Sequence, residues 1–140
     1  DFVYEDGWHE IKSIGTSATS VSISSLEQLD CADKGELVIM RIDKTAPDKS
    51  GALSLNDVVR QISSMLIRDS DVLDLFRSKL SAYGYIDLQE YSEQKYSCSG
   101  MQRYVVNNTF PRLTRQNVPT QIESLHYELS LPSMTDWLKG

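Results

Sequence analysis

The distribution of apolar and polar positions divides the chain into a strand-rich opening, a helical pair and a strand-rich close. Residues 2–5 and 8–14 read as two strands joined by Asp6-Gly7, a dipeptide that favours tight hairpin turns. Residues 16–20 form a small polar loop, and residues 21–24 form a short strand. Ser25-Leu26-Glu27-Gln28 then opens a short helix with the spacing of a capping box. In residues 36–42, Leu37, Val38, Ile39, Met40 and Ile42 run almost without interruption, as in a strand buried on both faces. A polar loop with Pro47 and Gly51 follows.

Ser54 is placed to cap a helix whose apolar face is Leu55, Val58, Val59, Ile62 and Leu66. Asp69 or Ser70 caps a second, with Val72, Leu73, Phe76 and Leu80 inward, and Gly84 is placed to end it. Residues 96–106 read as a strand region with a break near Gly100. Tyr91, Tyr96, Tyr104 and Tyr127 read as strand residues rather than a base-stacking platform. Leu125, Tyr127, Leu129 and Leu131 alternate with polar residues, as in a half-buried strand. The expected order is β-β-(β)-α-β-α-α-β-β, an α+β fold with α/β-like character and a mixed sheet flanked by helices.

The length of 140 residues suits one domain, and 40% hydrophobic with 24% charged residues is a globular composition. No stretch is long and apolar enough to span a membrane, and the opening lacks a secretory signal, so a cytoplasmic location is expected. The missing initiator Met leads to the expectation of a piece of a longer protein. Net charge is 14 − 20 = −6, which counts against tight non-specific binding of nucleic acid by this segment alone. Cys31 and Cys98 lack close Cys or His companions and read as free thiols, with a disulfide as the alternative. Neither zinc-ligand spacing nor a Gly-rich phosphate loop occurs.

Candidate chemistry lies in the opening hairpin. With Asp6-Gly7 as its turn, Glu5 faces Trp8, Tyr4 faces His9, Val3 faces Glu10 and Asp1 faces Lys12. Asp1, Glu10 and Lys12 then project from one side of the sheet, with His9 on the other. A loop of odd length would move Asp1 to the opposite face. Two close carboxylates are costly without a cation between them. A hard divalent ion removes that cost and suits phosphodiester hydrolysis, with the lysine orienting water or stabilising the transition state. The plain alternative is a cross-strand ion pair of Asp1 and Lys12 on a solvated face.

Asp1-Phe2, Glu10-Ile11-Lys12-Ser13 and Val21-Ser22-Ile23-Ser24-Ser25 with Gln28-Leu29 together resemble the catalytic core of PD-(D/E)XK nucleases. Ser54-Leu55 with Val58-Val59, Gly84-Tyr85, residues 110–114 and the final Leu/Tyr strand extend the likeness, most closely to a bacterial family similar in setting to restriction and phage-defence components. The resemblance implies a restriction-endonuclease-like fold. Residues 1–45 would be a partial core lacking its first helix and strand, and residues 46–140 a helical pair and a β-rich C-terminal extension, within one domain 1–140. It implies Mg²⁺ or Mn²⁺ as cofactor and DNA as substrate. Asp1 and Glu10 would be metal ligands, joined by the backbone carbonyl of Ile11. Lys12 would be the catalytic lysine, and Gln28 would position water or substrate, unless it serves the capping box with Ser25. Asp1 departs from the pattern in following no proline.

Ser24, Ser25, Arg112 and Arg115 are candidate substrate contacts, the arginines weighed against an ordinary surface loop. His126 reads as solvated. Other restriction or defence proteins, or a second copy of the chain paired at an open sheet edge, are the expected partners. A non-catalytic interaction or DNA-recognition module that keeps the nuclease fold is the rival reading.

Overall fold

A computed structural model describes residues 2–5, 7–32 and 34–140; Asp1, Asp6 and Asp33, and with them the expectations for Asp1 and for the Asp6 turn position, lie outside the described residues. The chain forms strands β1 (Phe2–Tyr4), β2 (Gly7–Ile14), β3 (Ser20–Ile23) and β4 (Gly35–Thr45). Helices α1 (Leu55–Leu66), α2 (Ser70–Ala82) and α3 (Glu90–Glu93) follow, then β5 (Lys95–Val106) and β6 (Tyr127–Ser130). A four-stranded sheet has the order β1-β2-β4-β5, and β3 pairs with β6 in a separate two-stranded sheet. This is an α+β fold. Among the described residues no helix is long and apolar enough to cross a membrane.

Two compact units are present: residues up to Ile42 with Cys98–Gly140, and Asp43–Ser97. The first holds the main apolar cluster, in which Trp8, Ile23, Leu37, Ile39, Tyr104, Phe110 and Leu131 are buried together. Leu37, Val38 and Ile39 are all buried, so β4 is covered on both faces, as its unbroken apolar run predicts.

The hairpin differs from its expected register by two residues. Phe2 pairs with His9, Val3 with Trp8 and Tyr4 with Gly7. Gly7 is therefore a strand residue rather than part of the turn. Its lack of a side chain serves a close approach, because a Cβ there would lie 2.6 Å from the Lys34 carbonyl oxygen, which accepts the Trp8 amide. A shift of two preserves the faces, so Val3 still lies on the same side of the sheet as Glu10 and Lys12.

β2 runs parallel to β4, with Trp8 opposite Gly35, Glu10 opposite Leu37 and Lys12 opposite Ile39. Parallel neighbours need a long crossover. Here it contains β3 and a 3₁₀ turn, Leu26–Gln28, where the sequence predicts a short α-helix. Gly35 makes room for Trp8, since a Cβ on it would lie 2.0 Å from the indole.

In the second unit, Ser54 caps α1 in a reciprocal capping box with Asp57, and Asp69 caps α2 through the Val72 amide. Gly84 follows α2 with φ +82°, a conformation that glycine adopts without strain. The buried Asn56 side chain donates to the Leu88 carbonyl and Ser92 Oγ, both at 2.8 Å, and accepts from the Tyr85 hydroxyl at 2.6 Å. Two further expectations are corrected. β5 is continuous through Gly100, which keeps an ordinary strand backbone without positive φ. Tyr91 belongs to α3, whose short span lacks the apolar periodicity that would announce a helix.

Candidate functional site

Glu10 and Lys12 stand on one face of β2, two residues apart, as strand alternation requires. The Glu10 residue is only 3% exposed, beside Leu37 of the adjacent strand. Burying a carboxylate in apolar surroundings is costly unless it is paired. Lys12 supplies a partner, with Nζ 3.2 Å from Glu10 Oε1.

The crossover brings Gln28 to the same place. Lys12 Nζ donates to Gln28 Oε1 at 2.9 Å, and the Ser24 amide donates to that same oxygen at 2.8 Å. The predicted capping box at Ser25 is absent, for Ser25 makes no side-chain cap bond. The glutamine reaches back one residue further, to Ser24, and the turn is too short to need a full cap. Its amide therefore links the crossover to β2.

The two arginines expected to meet substrate also hold this crossover. Arg112 Nη1 donates to the carbonyls of Leu29 and, at 3.1 Å, Cys31. The Arg115 amide donates to Asp30 at 2.9 Å, and its guanidinium donates to Glu27 at 2.9 Å. Residues on both sides of Gln28 are thus fixed by a segment far along the chain. Arg41 plays a similar part for the loop after β2, donating to the carbonyls of Thr16 and Ala18 at 3.0 and 2.9 Å. Ile11 lies in β2 opposite Val38, and His126 is exposed ahead of β6. Cys31 and Cys98 are free thiols.

A cavity of about 290 Å³ is lined by Glu10, Gln28, Val3, Trp8, Glu27 and Cys31. Its oxygen donors are hard and suit Mg²⁺ or Mn²⁺. Among the described residues no three His, Cys, Asp or Glu side chains gather as a ligand group. Mg²⁺ commonly takes only one or two protein carboxylates, with water and substrate phosphate completing its shell. Glu10 fits such a role.

The chain matches, over residues 1–132, the model of the family described as "Putative PD-(D/E)XK family member, (DUF4420)". It belongs to that family. The mixed sheet and helices of this PD-(D/E)XK family member accord with a restriction-endonuclease-like fold, and the matched span takes in Glu10, Lys12 and Gln28. Searches of curated proteins and of solved structures found no match. Sequence reasoning missed a second polar cluster, formed by His9, Glu36, Arg103 and Lys139. Its one trace in the hairpin pattern is His9, on the opposite face from Glu10.

Proposed function

We propose that the chain is a metal-dependent, DNA-cleaving endonuclease-like domain that hydrolyses phosphodiester bonds in a bacterial restriction or phage-defence setting. The observation that carries this reading is the buried Glu10 carboxylate, 3.2 Å from Lys12 Nζ, at the edge of a cavity shared with Gln28. Glu10 would hold Mg²⁺ or Mn²⁺, with Asp1 and the Ile11 carbonyl as further ligands. When bound, the ion would supply Lewis acidity and positive charge at the scissile phosphate. Lys12 orients the attacking water and stabilises the negative charge of the transition state. Gln28 holds the Lys12 ammonium in place, and Ser24 and Ser25 lie beside it for substrate contact. Arg112 and Arg115 hold the residues on either side of Gln28.

The test is cleavage of plasmid DNA with Mg²⁺. Activity in the parent and its loss in both Glu10→Ala and Lys12→Ala are expected; equal activity in those variants would sink the mechanism. The net charge of −6 favours a second reading: a non-catalytic module that keeps the nuclease fold for assembly. Titration calorimetry separates the two, because Mn²⁺ binding abolished by Glu10→Ala belongs only to the first.

A further inference from the structure

A second cavity, of about 470 Å³, opens at the start of β2, lined by His9, Lys34, Glu36, Arg103 and Lys139, with Trp8 in its wall. The strand register places the His9 side chain on the opposite face of β2 from Glu10. Glu36 organises the cluster. Arg103 Nε donates to its Oε2 at 2.7 Å, and Lys139 Nζ donates to its Oε1 at 2.7 Å. His9 Nε2 lies 3.4 Å from the same carboxylate and 3.5 Å from Arg103 Nη2. Lys139 is brought there by its own backbone, whose amide donates to the Arg103 carbonyl at 2.8 Å.

The described charged groups of this cavity are three full cations, Lys34, Arg103 and Lys139, against one carboxylate. That leaves a local excess of two positive charges before His9 is counted, in a chain whose net charge is −6. Glu36 is largely buried at 14% side-chain exposure, whereas Arg103 and Lys139 remain 38% and 49% exposed. An arginine carries five N–H donors and a lysine three. Two carboxylate oxygens cannot satisfy all of them, so donors held in fixed positions face the solvent of the cavity. Tyr4, whose ring meets His9 edge-on with centroids 5.2 Å apart, and Val105 add apolar wall, giving room for an organic group beside the charge.

We propose that this cavity binds a phosphate monoester, the 5′-phosphate of a nucleotide or of a nucleic-acid strand. A monoester near its dianionic form matches the local charge excess, and fixed guanidinium and ammonium donors suit its oxygens. The site does not depend on the chemistry of Glu10 and Lys12.

Titration calorimetry of the full chain at low salt tests it with three probes: adenosine monophosphate, a 5′-phosphorylated single-stranded oligonucleotide, and the same oligonucleotide without its phosphate. Binding that requires the phosphate is expected. It should weaken by about tenfold in Lys34→Gln and in Lys139→Gln, the effect of losing one charge-assisted contact, and persist in Glu10→Gln. Lys34→Gln leaves the Glu36 network intact, so it remains informative if Lys139→Gln unfolds. Binding of both phosphorylated probes assigns the site to nucleotides in general, and binding of the oligonucleotide alone assigns it to strand ends. No binding by both phosphorylated probes, equal affinity with and without the phosphate, or indifference to both lysine variants overturns the proposal.

Discussion

Lys12 Nζ and Gln28 Oε1 meet at 2.9 Å, and the same glutamine oxygen accepts the Ser24 amide. One side-chain carbonyl thus holds a cation and the backbone of the crossover together. Its two donors come from elements that no short-range rule would bring together.

Gln28→Leu should therefore damage function more than stability. Plasmid cleavage is expected to fall by about tenfold or more, in the range typical of groups that orient a catalytic residue. Gln28→Glu should restore part of it, since a carboxylate oxygen can accept from both donors. A cleavage rate unchanged in Gln28→Leu would remove the glutamine from the site.

Lys12→Met takes the cationic partner from the buried Glu10 carboxylate. The expected cost is roughly 3 kcal/mol of unfolding free energy, toward the low end for a broken buried pair, since Lys12 keeps some solvent. Glu10→Leu combined with Lys12→Met should recover most of that loss while remaining inactive. Urea denaturation of the single and double variants checks the pattern; equal losses in both would mean that the pair carries little electrostatic load.

Acid should weaken both units. Burial pushes the Glu36 carboxyl up, but hydrogen bonds and charge from Lys139 and Arg103 outweigh it and leave it below the ordinary carboxylate value. In Asp57 the hydrogen bond from Lys95, aided by Ser54, holds the carboxyl well below that range. A carboxyl depressed in the folded state contributes stability above its unfolded pKa and loses it as pH falls through the folded value. Urea midpoints should accordingly decline from about pH 4 downward, and less steeply in Glu36→Gln. A parallel decline in that variant would contradict the assignment.

Gly35→Ala should be destabilising by about 1–3 kcal/mol, the usual cost of overpacking. The added methyl would lie 2.0 Å from the Trp8 ring, and neighbouring β-strand backbone leaves little room for relief. Thermal melting followed by indole fluorescence reads both the loss and the displaced ring; an unchanged melt would show that Trp8 can move freely.

Local signals in the sequence hold wherever neighbours in sequence make the contact. Ser54, Asp69 and Gly84 do what capping chemistry predicts, and the unbroken apolar run around Leu37 marks a strand buried on both faces. Gly7 misled because Asp-Gly favours a turn, while the demand that fixes it comes from the backbone at Lys34. The face shared by Glu10 and Lys12 follows from strand alternation alone. The contact with Gln28 does not, since it depends on how the crossover returns over the sheet. The Glu36 cluster was equally hidden, because its members come from β2, β4, β5 and the last residues of the chain. The hold of Arg112 and Arg115 on the crossover is hidden for the same reason, since their partners lie more than eighty residues away.

The clamp of Arg112 on the carbonyls of Leu29 and Cys31 spans more than eighty residues. During synthesis the segment bearing Gln28 leaves the ribosome long before the arginine that fixes it. The lysine and glutamate of the strand are made first, but their surroundings are completed only once Arg112 has emerged. Assembly of this pocket is therefore a late event, and a nascent chain halted before Arg112 would carry its motif without its architecture.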